Sequence, residues 1–187
     1  MTELKDLKIY IVDNEDYKIS IFKTIFKDIK NVECVTSDIG WFYNTHIKEI
    51  DCLVSPANAF GHMTGGYDAA LSDIFGWDYQ KKVQQYIIDN FYGEQLVGTS
   101  FIIDTPLKGV KLIHTPTMQY PSIIKDDMVV YHSMRATLMC ALKNDIKCIV
   151  IPIFGGACGR INANIASRRM KEAYLQILNR TGPSYDI

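Results

Sequence analysis

Two glycine clusters sit where backbone N–H groups can turn toward an anion. Gly61, Gly65 and Gly66 follow the run Asp51-Cys52-Leu53-Val54-Ser55-Pro56-Ala57-Asn58 and precede a short helical stretch. Gly155, Gly156 and Gly159 follow Cys148-Ile149-Val150-Ile151-Pro152-Ile153-Phe154 and precede a long one. Glycines between a strand and a helix free main-chain donors, and a helix N-terminus adds a favourable dipole. Two such loops suit a ligand with more than one phosphate, held from both sides. The second loop lacks the Gly-Lys-Ser/Thr ending of a P-loop and the spacing of a dinucleotide fingerprint, so only generic phosphate cradling survives. Its alternative is a tight turn with no ligand.

Side chains near these loops extend the chemistry. The Asn58 amide donates and accepts, which suits vicinal sugar hydroxyls, although Asn is equally a turn former. Asp68 follows Gly65-Gly66-Tyr67 in a first helical turn. It is suited to orienting a water or accepting a ribose proton, and equally to being a helix-start acid. Asp38 ends a strand, where a carboxylate can accept from an exocyclic amine or close a turn. His114 and His62 have acid–base chemistry, while a strand histidine such as His114 is commonly a hydrogen-bonded core residue. Cys158 would be a nucleophile only with a Cys-His-Asn/Asp order, which is missing. Arg160 is near enough to touch phosphate; Arg168 and Arg169 read as a solvated face. No spacing suggests a metal site.

The elements that must position these groups alternate between the two basic periodicities. Strands are expected at 8–12, 32–36, around Leu53 and Val54, and at 148–153. A short-turned antiparallel pair is expected at 99–104 and 110–115. Asn14 is expected to cap a helix whose core face is Tyr17, Ile21, Ile25 and Ile29. Further helices are expected from about Asp78 to Gly93, with Tyr79, Val83, Tyr86, Ile87 and Phe91 inward, and from about Asp126, with Val130, Met134, Leu138 and Ala141 inward. The last has Met170, Ala173, Tyr174, Ile177 and Leu178 on its apolar face. The expected fold is α/β: a three-layer α/β/α sandwich around a mixed central sheet. Residues 1–180 read as one domain and 181–187 as a frayed tail. The loops at 37–40, 56–67, 115–121 and 154–161 all follow strand C-termini, the edge where open α/β sheets bind ligands.

Bulk properties narrow the classes. The chain has 187 residues, 48% of them hydrophobic and 22% charged, with a formal net charge of −1. That composition is ordinary for a globular domain and argues against a broad nucleic-acid surface. The five cysteines show no CxxC pairing, and Cys52 and Cys148 lie in apolar runs, which points to reduced thiols in an intracellular, cytoplasmic protein. The chain is expected to carry no signal peptide, and its apolar runs are shorter than a membrane span requires.

The ordered motifs resemble those of macrodomains. Ser55-Pro56-Ala57-Asn58 … Gly65-Gly66-Tyr67-Asp68 is similar to their first ligand loop, and Thr36-Ser37-Asp38-Ile39 to their adenine-side Gly-Asp-Ile. Lys111-Leu112-Ile113-His114-Thr115-Pro116 resembles their Ile-Ile-His segment, and Pro152–Gly159 their phosphate loop. Gly93–Gly98 and Pro116-Thr117-Met118 look like a bacterial and phage branch, so a virus- or phage-encoded source is compatible. The resemblance implies ADP-ribose or a derivative as ligand, an ADP-ribosylated protein as a further partner, and no cofactor. Asp38 would bond the adenine amine with the Ile39 backbone beside it, and Asn58 would hold the distal ribose. Gly65, Gly66 and Tyr67 would line that ribose and the diphosphate, and Phe154, Gly155, Gly156, Ala157, Cys158 and Gly159 would wrap the diphosphate. As in de-ADP-ribosylating members, Asp68 would serve hydrolysis at the distal ribose, of a 1″-phosphate, an acetyl ester or an ADP-ribosyl linkage. His114 is a lesser candidate for proton transfer. A binding module without chemistry is the rival reading. Ser55 and Pro56 depart from the usual Asn-Ala, Thr64 stands at a glycine position, and Tyr67 replaces a small aliphatic residue.

Overall fold

The computed structural model describes residues 2–179. The expected tail at 181–187, like the end of the expected domain at 180, lies outside the described residues. Among the described residues six strands, β1 (Lys8–Asp13), β2 (Val32–Thr36), β3 (Cys52–Ser55), β4 (Phe101–Asp104), β5 (Lys111–His114) and β6 (Cys148–Ile151), form one sheet in the order β2-β1-β6-β3-β5-β4. All neighbours are parallel except β4 and β5, which pair antiparallel with Phe101 opposite His114. The sheet is therefore mixed, as the short turn between these two strands implied.

Alternation along the strands divides the interior into two cores. Ile9, Ile11, Val54, Ile149 and Ile151 face α1 (Asp16–Phe26), α5 (Met128–Lys143) and α6 (Ala163–Asn179), where Phe22, Met134 and Met170 are fully buried. Tyr10, Val12, Leu53, Leu112 and Val150 face α2 (Ile39–His46), α3 (Gly66–Phe75) and α4 (Tyr79–Phe91), where Phe42, Leu71 and Val83 meet them. Helices on both faces complete the α/β/α sandwich.

Several local expectations shift. α1 starts after Glu15, not Asn14, and Asp13 accepts from the Glu15 N–H at 2.9 Å. Its core face is Ile19, Phe22 and Phe26, while Tyr17 of the expected stripe is exposed and Ile25 and Ile29 are half-buried. The sequence offers two apolar stripes on α1, and the sheet selects the bulkier. α2 has no counterpart in the sequence reading; Asp38 starts it by accepting from the Trp41 N–H at 3.0 Å. β6 ends at Ile151, short of Pro152, which has no N–H to continue the ladder. Leu178 of the last helix is exposed rather than inward.

Candidate functional site

β6 lies between β1 and β3, and its register pairs Cys52 with Ile149 and Leu53 with Val150. The glycine loops after β3 and β6 thus leave adjacent parallel strands at the same edge of the sheet. β2 delivers Asp38 and β5 delivers the 115–127 segment to that edge as well.

The loop after β6 is two consecutive turns. Gly156 N–H donates to the Ile153 carbonyl at 3.2 Å, and Arg160 N–H to the Ala157 carbonyl at 3.0 Å. Ile161 N–H reaches the Gly155 carbonyl and Ile124 N–H the Gly159 carbonyl, each at 3.0 Å, and Lys18 Nζ donates to the Gly156 carbonyl at 3.0 Å. The carbonyls are thus tied into the protein, whereas the N–H groups of Gly155, Ala157, Cys158 and Gly159 have no partner among the described residues. Gly155 has φ of +71°, the left-handed region that favours glycine. At Gly159 a Cβ would lie 2.5 Å from Ile124 Cδ1 and 2.9 Å from the Gly155 carbonyl oxygen. Successive main-chain donors without partners, of which those of Ala157 and Cys158 belong to exposed residues, are the raw material of an anion site. The first turn of α6, which starts at Ala163, is capped from within: Asn162 Oδ1 accepts from the Asn164 N–H, and the Asn162 carbonyl accepts from the Ile165 and Ala166 N–H groups.

At the other loop the helix end is open. Gly65 is the N-cap of α3 and has no side chain to satisfy the first-turn donors. Asp68, in that first turn, is buried, and Ser55 Oγ donates to its Oδ1 at 2.5 Å. Burial raises the Asp68 pKa from 3.8 to about 7, partly offset by the Ser55 hydrogen bond. The carboxyl therefore exchanges its proton near neutrality.

Asn58 has turned inward to its own loop. Its Oδ1 accepts from the N–H groups of Phe60 and His62 at 3.2 and 3.3 Å, and its Nδ2 donates to the His62 carbonyl at 3.1 Å. The second amide hydrogen of Nδ2 has no partner among the described residues. His114 is wholly buried at the end of β5, paired in register with Ser55. Gln95 Nε2 donates to the Thr99 and His114 carbonyls, so its Oε1 faces His114 Nδ1 at 2.6 Å and that nitrogen carries the proton. Burial lowers the His114 pKa to about 3, keeping the ring neutral. Its Nε2 is a buried acceptor with no partner among the described residues.

Tyr67 packs its ring against the second core, and its hydroxyl is buried with no partner among the described residues. Burial first, then the carboxylates of Asp68, Asp13 and Asp38, raise its pKa well above the ordinary range. Asp38 is exposed and Ile39 is buried. Cys158 is exposed on the phosphate-type loop, Arg160 lies at its end with φ of +55°, and Arg169 is held by Asp127 and Glu172. Sequence reasoning missed Ser55 as a partner of Asp68, Gln95 as the holder of His114, and Lys18. Only the position of Ser55 at a strand end ahead of the glycines signalled the first.

Residues 54–170 match the model of the Macro domain family. The chain belongs to the macrodomain family. An uncharacterized protein of Aquifex aeolicus (strain VF5) is 29% identical over 126 residues, covering 66% of this chain and 72% of that protein. The fold is similar to the macrodomain of Mycobacterium tuberculosis DarG, with a TM-score of 0.59 and 17% identity over 69% of this chain and 84% of that one. It is also similar to an Oceanobacillus iheyensis macrodomain with ADP, with a TM-score of 0.61 and 18% identity over 71% and 72% of the two chains. Macrodomains bind ADP-ribose and include hydrolases. The family match begins in β3, so β1, α1, β2 and α2, with Lys18 and Asp38, precede the matched segment of this macrodomain.

Proposed function

We propose that this macrodomain binds ADP-ribose derivatives and hydrolyses a bond at the distal ribose. The observation that carries the reading is Asp68: a buried carboxyl with a pKa of about 7, bonded to Ser55 and placed at the open N-terminus of α3. The strip of donors from Gly155 to Gly159 seats the diphosphate, and the exposed Asp38 takes the adenine amine with its remaining oxygen. Asn58 offers its free amide hydrogen to the distal ribose while its other bonds shape the loop. Ionised Asp68 takes a proton from a water, whose oxygen attacks the distal centre while the leaving group departs with the bonding electrons. Positioning and fixed N–H dipoles supply most of the acceleration. His114, neutral and bonded to Gln95, acts as a structural support beside Ser55 on the neighbouring strand. An intracellular site of action agrees with the five free thiols.

A few hydrogen bonds to charged groups, roughly 1.5–3 kcal/mol each, with adenine burial reach about micromolar affinity. The test is calorimetry with ADP-ribose against ATP and NAD, followed by a product assay on ADP-ribose 1″-phosphate and on an ADP-ribosylated protein. Preference for ATP refutes the ligand assignment. A second reading, binding without turnover, is favoured by the engagement of Asn58 with its own loop. Tight ADP-ribose binding with no product from any derivative would establish it.

A further inference from the structure

Lys18 stands in α1, ahead of the segment matched to the family at 54–170, and is only 5% exposed. A buried ammonium needs a countercharge and acceptors. Glu15 forms the ion pair, and the Gly156 carbonyl accepts at 3.0 Å. Burial works to lower the Lys18 pKa, but Glu15 and Asp13 outweigh it and the net shift is upward, so the side chain stays charged.

The geometry of the Gly156–Ala157 peptide gives this contact a consequence. The peptide is trans, so its carbonyl and N–H point in opposite directions. With the Gly156 carbonyl directed at Lys18, the Ala157 N–H is directed away from it, and that donor has no partner among the described residues. The flanking turns do not hold this unit. One closes from Gly156 N–H to the Ile153 carbonyl and the other from Arg160 N–H to the Ala157 carbonyl, and the peptide between them is the link. A flip of that link would put a carbonyl oxygen where the unpartnered Ala157 N–H now points. A carbonyl there repels the oxygens of an anion.

We propose that Lys18 is a positioning residue that locks the Gly156–Ala157 peptide with its N–H toward the diphosphate of ADP-ribose. The inference rests on the diphosphate seat proposed above.

The experiment uses Lys18→Met, which keeps the apolar stem and removes charge and donor, and Lys18→Arg, which keeps both. Crystal structures of the ligand-free wild type and variants report the peptide directly, whatever the ligand. The Gly156 carbonyl is expected to leave its wild-type direction in Lys18→Met and to keep it in Lys18→Arg. An unchanged carbonyl in Lys18→Met overturns the lock. Calorimetry then compares ADP-ribose with adenosine, which has no diphosphate. Lys18→Met should bind ADP-ribose at least about tenfold more weakly, the scale of one charge-assisted hydrogen bond. Adenosine affinity should not change, and Lys18→Arg should recover most of the loss. Equal losses for both ligands with a lowered Tm would mean a merely structural role and overturn the proposal. If the wild type binds no ADP-ribose while the carbonyl still turns in Lys18→Met, the functional reading fails and the peptide lock stands.

Discussion

A carboxyl group that holds its proton to about pH 7 inside a protein weakens the fold whenever it is ionised. Asp68 titrates at about 7 in the native state against 3.8 ordinarily, so the native state binds more protons over that interval. Stability from this group is therefore full below about pH 4 and declines as pH rises toward 7, by an upper limit of roughly 4 kcal/mol. Asp68→Asn should remove that decline. Denaturant titrations from pH 4 to 8 should show the variant gaining on the wild type as pH rises, and a constant difference would refute the buried titration. In the proposed reaction the rate should rise with pH to a plateau above a midpoint of about 7. Asp68→Asn should lose roughly 100- to 10,000-fold in kcat, with ADP-ribose affinity little changed. His114 has the opposite sign. Its native pKa of about 3 lies below the ordinary 6.5. The unfolded chain gains a proton that the folded one refuses, so stability falls as pH drops from about 6.5 toward 3. Nitrogen-15 NMR should show a neutral ring protonated at Nδ1 at pH 5; an imidazolium at that pH would contradict the burial argument.

At the scale of elements, α1 shows why periodicity alone left a choice open. Tyr17, Ile21, Ile25 and Ile29 recur at helical spacing, but so do Ile19, Phe22 and Phe26, and the sheet buries the second set. Phe22→Ala should cost about 3–5 kcal/mol, whereas Tyr17→Ala should fall within about 0.5 kcal/mol, as read from urea midpoints. Comparable losses would mean the helix is rotated. The phosphate-type loop answers to its glycines. Gly159→Val would drive a side chain into Ile124 and the Gly155 carbonyl, at 2.5 and 2.9 Å from the Cβ alone. ADP-ribose affinity should fall by at least about tenfold as the donors move, with the circular-dichroism spectrum retained. Wild-type affinity in that variant would remove the loop from the binding site.

Across the whole molecule, β1, β3, β5 and β6 each send alternate residues into both cores, so neither core can be lost alone. Chemical unfolding should be a single transition with coincident fluorescence and circular-dichroism curves; two separated transitions would contradict a single domain. The order of strands, glycine loops and polar residues was legible from local chemistry: alternating apolar runs, turn glycines and the motif sequence around Asn58, Asp68 and Pro152–Gly159 need only near neighbours to be understood. The amide of Asn58 and the start of α2 at Asp38 were ambiguous because the same side chains close turns and bind ligands. What tertiary structure alone decided lies between distant segments. It paired Ser55 with Asp68 and raised that carboxyl to about pH 7, buried His114 against Gln95, and brought Lys18 under the Gly156 carbonyl. Desolvation and hydrogen-bond partners are properties of a packed neighbourhood, and a linear order of residues carries neither until the sheet assembles them.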